Sequence, residues 1–245
     1  MQFFQIALAS LALPAVSSFV TPKASSTSTK LNVATGGGND LNGWVPDESK
    51  FAFGLPGSID PIQAFDPLGF ADGADLTQMK QYREAETTHG RVAMLAIIGF
   101  LVTEQPFNFH PFFETADRDI GPAIRHLDEV RASTPFFFEI LAVAIGAAEV
   151  VRSLKGWETP GNSDNKALKE SYYPGDIGFD PFGLKPTDNF EEFSKMSTKE
   201  LQNGRLAMLG VAGIVAQELI NGKEIFVNFG LAPDTFDPSS LPVKF

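Results

Sequence analysis

Cysteine is missing altogether from this 245-residue chain, which excludes a disulfide framework, a thiolate metal site and a cysteine nucleophile. Histidine is scarce, with three in the sequence, so any chemistry falls to carboxylates, amides and those few imidazoles. Basic residues are in the minority. Nineteen Lys and Arg against 30 Asp and Glu leave a formal charge of -11, and without a basic cluster to neutralise phosphates, nucleic acid is excluded as a partner. Long apolar runs are also lacking in two segments that otherwise read as helices. Residues 92–102 and 206–216 are uninterrupted for only 11 positions each, against the roughly 18 or more that a membrane span normally shows. Tyr and Trp are few, whereas Phe occurs 23 times, so the aromatic content serves apolar contact.

The first thirty residues differ from the rest. An apolar run at 3–16, interrupted by Gln5, Ser10 and Pro14, leads to Ser17 and Ser18 and then to a Ser/Thr/Lys stretch with no acidic residue through Lys30. This reads as two addresses in series, a secretory-type apolar region followed at Phe19 by an acid-poor transit segment. It resembles the bipartite leader used for plastids of secondary origin. A short anchor is the competing reading, but that would need about 20 apolar residues. Residues 1–30 are therefore set apart from the fold.

An internal repeat organises the remainder of the chain. Phe65-Asp66-Pro67-Leu68-Gly69 returns as Phe179-Asp180-Pro181-Phe182-Gly183, 114 positions later. At the same offset Glu86, His89-Gly90-Arg91 and Ala93-Met94-Leu95 return as Glu200, Asn203-Gly204-Arg205 and Ala207-Met208-Leu209, and Gly99 and Glu104 return as Gly213 and Glu218. No gap is needed, so two related units succeed each other in the chain. Each unit is a Pro- and Gly-marked turn followed by a proline-free segment rich in Ala, Leu, Met and Glu, which predicts helices over residues 79–104 and 195–221. A third apolar stretch, 136–151, is predicted as a helix between them, and residues 156–186, rich in Gly, Pro, Asn and Asp, as loop.

The repeat also explains how the two short-run helices could enter a bilayer. Each carries a Glu and an Arg five residues apart just before its apolar run. If the helices cross, Glu86 pairs with Arg205 and Glu200 with Arg91, so each charge is neutralised by the other helix. Gly90 and Gly204 at the centre would let the backbones approach. The fold class expected is an all-α membrane protein with three transmembrane helices, the first and third related by a pseudo-twofold axis and crossing. The N-terminal region and second loop hold ten of the Lys and Arg of residues 31–245, from Lys50 to Lys199, against five in the opposite loops, Arg118, Arg125, Arg131, Lys223 and Lys244. That bias orients the N-terminus toward the side kept positive.

Four polar donors lie at the expected membrane depth. Glu86 and His89 share one helix face, and Glu200 and Asn203 repeat the spacing. A chlorophyll magnesium has one open axial position and accepts imidazole, amide oxygen or a charge-compensated carboxylate singly, so each donor could hold a separate pigment. One such Glu alone reads equally well as a simple ion pair. Glu-x-x-His is also the half-motif of di-iron carboxylate bundles, but such a site wants a second His where Asn203 stands and would be repelled by Arg91 and Arg205. A small repeat transporter is a third reading, for which one helix per repeat leaves little room for a substrate path.

The segments Arg83-Glu84-Ala85-Glu86-Thr87-Thr88-His89-Gly90-Arg91-Val92-Ala93-Met94-Leu95 and Thr198-Lys199-Glu200-Leu201-Gln202-Asn203-Gly204-Arg205-Leu206-Ala207-Met208-Leu209 resemble the light-harvesting chlorophyll-binding superfamily, most closely its fucoxanthin chlorophyll a/c type. The likeness covers roughly residues 65–230. It implies Glu86, His89, Glu200 and Asn203 as central chlorophyll ligands, Arg91 and Arg205 as the partners of the glutamates, Lys199 within the same pigment-binding stretch, and Gln217 as a further ligand. On the middle helix it implies Glu149 with Arg152 at its side. Leu141 stands where plant relatives have a second polar ligand, with Glu139 the candidate substitute. The plant family's ligand His near the C-terminus has no counterpart. His110 and His126, in the loop after the first helix, read as structural or, alternatively, as ligands.

The same resemblance implies chlorophyll a, chlorophyll c, fucoxanthin and other carotenoids as cofactors. Two carotenoids would be held near the Phe-Asp-Pro turns, in grooves kept open by Ala93, Ala96, Ala207 and Gly210. Implied partners are photosystem I or II, other antenna subunits in a homo- or hetero-oligomer, and thylakoid lipids. The chain divides into a plastid-targeting leader (1–30), a stromal segment (31–64), the antenna domain (65–230) and a lumenal tail (231–245), in the thylakoid membrane with a stromal N-terminus. No enzymatic step is implied. Phe65 to Asp72 and Gly121-Pro122-Ala123-Ile124 resemble the stress-related photoprotective branch, whereas Lys50 to Gly57 and His110-Pro111-Phe112-Phe113 resemble other antenna branches. Glu114, Asp117, Asp119, Asp128 and Glu129, close to His126, form an acidic stretch that reads first as a solvated loop and, alternatively, as a sensor of lumenal pH.

Overall fold

A computed structural model describes residues 41–109, 121–158, 168–186 and 189–235. The chain there is helical. Three long helices, α1 (Leu76–Thr103), α3 (Phe137–Gly156) and α4 (Phe190–Asn221), are joined by loops that carry two short helices, α2 (His126–Ser133) and α5 (Ile225–Asn228). His110, Glu114, Asp117 and Asp119 lie outside the described residues, as do the leader and the last ten residues.

Local capping sets the helix ends. The Asp75 carboxylate accepts the Thr77 N–H at 2.5 Å while the Gln78 side chain accepts the Asp75 N–H at 3.3 Å, a reciprocal box that satisfies donors the first turn would leave bare. Asn189 accepts the Glu191 N–H at 2.9 Å and starts α4. Both helices therefore begin before the positions expected from proline-free length, 79 and 195, because caps rather than apolar content decide where a helix starts. Gly222, at φ +64°, ends α4. In the same way α3 runs past residue 151 to Gly156, where a side chain would strike the Tyr172 ring 2.9 Å away.

α1 and α4 cross at the two glycines. A Cβ on Gly90 would lie 3.0 Å from the Gly204 Cα, and one on Gly204 would lie 2.9 Å from the Gly90 Cα. Ala93, Leu201 and Ile214 are buried along the two helices. Of the small residues expected to keep grooves open, Ala93 is buried and Gly210 would meet Ile97 at 3.0 Å, so these two serve helix packing.

At the end where α1 and α4 begin, Trp44, Leu55, Met79, Tyr173 and Phe193 form a compact cluster. The Trp44–Tyr173 and Tyr173–Phe193 rings meet edge-on at 6.1 and 5.0 Å, the favoured aromatic geometry. The two Phe-Asp-Pro turns are built alike. Asp66 accepts the N–H of Phe70 and Ala71 at 3.0 and 2.6 Å, and Asp180 accepts those of Leu184 and Lys185 at 3.0 and 2.8 Å. Gly69 and Gly183 both take a left-handed φ there. Phe65, Leu68, Phe179 and Phe182 are left exposed beside the turns.

At the far end the repeated Glu104 and Glu218 are buried. Glu104 accepts the Ala123 N–H at 3.1 Å with one oxygen and the Ile225 N–H at 2.8 Å with the other, and Glu218 accepts the Ile124 N–H at 3.0 Å. The segment Gly121 to Ile124 and the start of α5 are thereby docked onto the helix pair. In Glu104→Gln one oxygen becomes an NH2 that faces an N–H donor, and a buried donor left unpaired costs about 1–3 kcal/mol. Amide exchange at Ala123 or Ile225 will accelerate accordingly. Unchanged protection at both amides would show that the carboxylate does not hold them.

α3 stands apart. Every residue from Glu139 to Val151 is exposed, on all faces of the helix, and a Cβ on Gly146 would meet nothing within 4 Å. Taken singly, only α1 among the described helices is long and apolar enough to cross a bilayer. The segment containing α2 passes together with α3 across a 110° bend. The expectation that both outer helices escape such a test therefore holds for α4 and not for α1.

Candidate functional site

Both cross-helix ion pairs anticipated from the repeat form. Arg205 Nε donates to Glu86 Oε1 at 2.7 Å, and Arg91 Nε donates to Glu200 Oε1 at 2.6 Å. Each arginine also reaches a loop carbonyl next to the opposite helix. Arg205 Nη1 donates to Gly57 O and Arg91 Nη1 to Gly175 O, both at 2.7 Å. Gly57 and Gly175 have φ of +120° and +84°, and a Cβ would strike Arg83 Nη1 at 2.6 Å at the first and Thr87 at 2.8 Å at the second. Only glycine fits where these loops press against the helices. Glu86 has a second cation, Arg83 Nε, 3.5 Å from its other oxygen.

His89 and Asn203, in register on the two helices, use the same device. His89 Nδ1 lies 2.7 Å from the Ala85 carbonyl one turn back. A carbonyl lone pair repels a bare nitrogen, so Nδ1 carries the proton and Nε2 presents its lone pair outward. Asn203 Nδ2 donates to the Lys199 carbonyl at 2.9 Å, which turns its amide oxygen outward. Both residues are exposed on the helix surface. Each has its N–H tied down by its own helix and one acceptor aimed away from the protein, the arrangement in which metal-ligating His and amide groups are oriented.

The other expected positions lie on α3, on α4 and at the start of α2. Glu149 is exposed on α3, with Arg152 Nη2 at 3.3 Å from Oε2. Glu139 is exposed in the first turn of α3, as is Leu141 half a turn on. Gln217 is half-buried on α4, and its Nε2 is buried without a hydrogen-bond partner. Lys199 is exposed and its carbonyl anchors Asn203. His126 opens α2 with Nε2 3.0 Å from the Gly121 carbonyl.

Sequence reasoning missed several contributors. Glu84, two residues before Glu86, is 3% exposed and accepts the Gly175 N–H at 2.5 Å and the Tyr172 hydroxyl at 3.1 Å. Burial and the adjacent Glu84 carboxylate push the Tyr172 phenol above its ordinary pKa, so it remains a donor. Gln202 Nε2 donates to Gly57 O at 3.0 Å, reinforcing the loop that Arg205 holds.

The donor chemistry fits single axial ligation. Glu86 and Glu200 are turned toward guanidiniums rather than toward each other, and among the described residues no three His, Asp or Glu side chains converge on a point that could hold a metal ion. A dinuclear carboxylate centre needs such convergence.

A family model described as chlorophyll A-B binding protein matches residues 47–219. The chain belongs to that family. Among its relatives, a light-harvesting complex stress-related protein 3.2 of Chlamydomonas reinhardtii is 48% identical over 190 residues, covering 76% of this chain and 72% of the relative. A fucoxanthin-chlorophyll a-c binding protein of Isochrysis galbana is 47% identical over 177 residues, covering 71% and 80%. A chlorophyll a-b binding protein 4 of Arabidopsis thaliana is 31% identical over 193 residues, covering 76% and 70%. All three are chloroplastic. The span matched to this chlorophyll-binding family takes in α1, α3 and all but the last two residues of α4, with every candidate ligand from Glu86 to Gln217.

Proposed function

We propose that this protein is a light-harvesting antenna subunit of the plastid thylakoid membrane that binds chlorophyll a, chlorophyll c, fucoxanthin and other carotenoids. It spans the membrane with α1, α3 and α4, and α1 and α4 are related by a pseudo-twofold axis. The carrying observation is the paired geometry of His89 and Asn203, each with its N–H fixed to its own helix and one bare acceptor facing outward. The residues that would hold chlorophyll magnesium are His89, Asn203, Glu86, Glu200, Glu149 and Gln217, with Glu139 as a further pigment contact. Arg91 and Arg205 neutralise the glutamates and Lys199 anchors Asn203.

Bound chlorophyll and carotenoid supply absorption and excitation transfer. The protein's own part is to fix distance and orientation, which a tied-down side chain on a rigid crossed pair does well, and no catalytic step is needed. The exposure of α3 on every face from Glu139 to Val151 supports the same reading, because an apolar stretch so little covered by the described residues leaves its surroundings to pigment and lipid. The basic-residue bias supports a stromal N-terminus behind a leader at 1–30, a stromal segment at 31–64, an antenna domain at 65–230 and a lumenal tail at 231–245. Photosystem I or II and other antenna subunits are the partners that receive the excitation.

Chlorophyll and carotenoid absorption in the purified native protein, in fixed ratio to polypeptide, is the expected result; a colourless preparation containing iron would overturn it. His89→Leu removes a ligand but no ion pair, so it will cost one chlorophyll per polypeptide and leave helix content unchanged. Pigment extraction and far-ultraviolet circular dichroism check this, and an undiminished chlorophyll count would remove His89 from the ligand set. The 48% identity to stress-related proteins favours a second reading, photoprotective quenching. A fluorescence lifetime that shortens on acidification of the isolated protein would support it, and equal lifetimes at neutral and acid pH would leave harvesting.

A further inference from the structure

We propose that Glu84, together with Thr88, is a positioning residue for the Glu149 ligand and acts through Arg152; this rests on reading Glu149 as an axial ligand. The three guanidinium nitrogens of Arg152 face three different groups. Nε lies 3.8 Å from Glu84 Oε1, Nη1 donates to Thr88 Oγ1 at 2.9 Å, and Nη2 lies 3.3 Å from Glu149 Oε2. Two of the three belong to α1, across the gap from the helix that carries both Arg152 and Glu149. The remaining nitrogen is the one that touches the ligand carboxylate.

Glu84 is itself immobilised. Its Oε2 takes the Gly175 N–H and the Tyr172 hydroxyl, and its side chain is 4% exposed, against 53% for Glu149. A buried carboxylate is costly and gives little net stability over an apolar side chain. What Glu84 and Thr88 provide is a socket of fixed shape that selects one conformation of a long, otherwise mobile arginine. Without it, Arg152 on an exposed helix would sample many rotamers, and an i,i+3 pair with Glu149 at a solvent- or lipid-exposed surface contributes little by itself. Glu149 would then be left as an uncompensated anion for much of the time, a poor single ligand to a neutral chlorophyll in an apolar setting.

Gly175 extends the connection. Its N–H goes to Glu84 and its carbonyl accepts Arg91, the partner of Glu200. A series of polar groups therefore leads from Glu149 on α3 to Glu200 on α4, its loosest link the 3.8 Å ion pair between Arg152 and Glu84. Arg152 ties α3 directly to α1 through both Glu84 and Thr88, so the socket sets where α3 presents its carboxylate.

The test is refolding of the full chain with purified chlorophyll a, chlorophyll c and fucoxanthin, followed by pigment extraction and low-temperature absorption. Glu149→Leu is expected to lose one chlorophyll. Glu84→Gln is expected to lose the same one, with a matching difference spectrum, and the double variant to lose no more than Glu149→Leu alone. Glu84→Asp, which keeps the charge, should recover part of the occupancy. If Glu149→Leu keeps its full chlorophyll count, Glu149 is not a ligand and the inference falls with that reading. If Glu149→Leu loses a chlorophyll while Glu84→Gln keeps full count and spectrum, the ligand reading stands and the positioning role is wrong. Should Glu84→Gln not refold, Thr88→Val decides. It removes the hydroxyl that accepts Arg152 and donates to the Glu84 carbonyl one turn back, and is expected to reduce occupancy of that one chlorophyll severalfold with helix content intact. Wild-type pigment content in Thr88→Val would overturn the proposal.

Discussion

Gly204→Val will keep α1 and α4 from closing and will abolish recovery of pigmented protein. Even a Cβ at this position would sit 2.9 Å from the Gly90 Cα, with the Gly90 carbonyl carbon at 3.5 Å, so what it meets is backbone, which cannot turn aside. Overpacking by a branched side chain costs about 1–3 kcal/mol where the surroundings can adjust. Here the adjustment is a separation of the two helices, which takes the Arg205–Glu86 and Arg91–Glu200 hydrogen bonds with it, since both have donor and acceptor within 2.7 Å. Gly99→Ala and Gly213→Ala are the controls. They occupy matching places in the repeat, but a Cβ on either meets nothing within 4 Å, and each should refold like wild type or slightly better, because alanine is the better helix former. Recovery of Gly204→Val at the wild-type level would mean that the close approach is dispensable.

The second large effect concerns the ion pairs. Glu200→Gln and Arg91→Leu will each lower refolding yield and thermal stability, and the double variant will lose less than the sum, with a coupling on the order of 0.5–3 kcal/mol. Removing one partner leaves a part-buried charge uncompensated between the crossed helices, whereas removing both leaves none. The parallel cycle at Glu86 and Arg205 should give the smaller coupling, because Arg83 stays 3.5 Å from Glu86 when Arg205 is gone. Additive losses in both cycles would remove the argument that reciprocal neutralisation lets these helices enter the bilayer.

Much of this site was legible because it is repeated. One offset of 114 aligns Glu86, His89, Gly90 and Arg91 with Glu200, Asn203, Gly204 and Arg205, and a repeated charge of each sign on two helices has a natural solution in exchange. The central glycines come from the same register. The outward acceptors of His89 and Asn203 could be placed on a face, but the hydrogen bonds to Ala85 and Lys199 that orient them come from the backbone of the preceding turn and leave no trace in residue spacing.

Other features depend on loops docking from a distance. Glu84 reads as one more charged residue in an acidic and basic stretch until Tyr172 and Gly175, some ninety positions away, fold over it. Glu104 and Glu218 stand out as a repeated pair, yet their role in fixing Ala123, Ile124 and Ile225 requires knowing that these segments return to the helix ends. The short helices α2 and α5 have no periodic apolar pattern long enough to announce them. The helix starts at Leu76 and Phe190 precede the expected ones by a few residues because Asp75 and Asn189 cap them ahead of the apolar run.

The most direct test of pigment ligation by the crossed pair is an electron cryomicroscopy map of the native, pigmented protein at a resolution that defines chlorophyll rings. If His89 and Asn203 are ligands, ring density will face the outward His89 Nε2 and the Asn203 amide oxygen, with the Ala85 and Lys199 carbonyl contacts intact behind them. A map in which His89 Nε2 and the Asn203 oxygen bond to protein or water, with no ring at either, would contradict it.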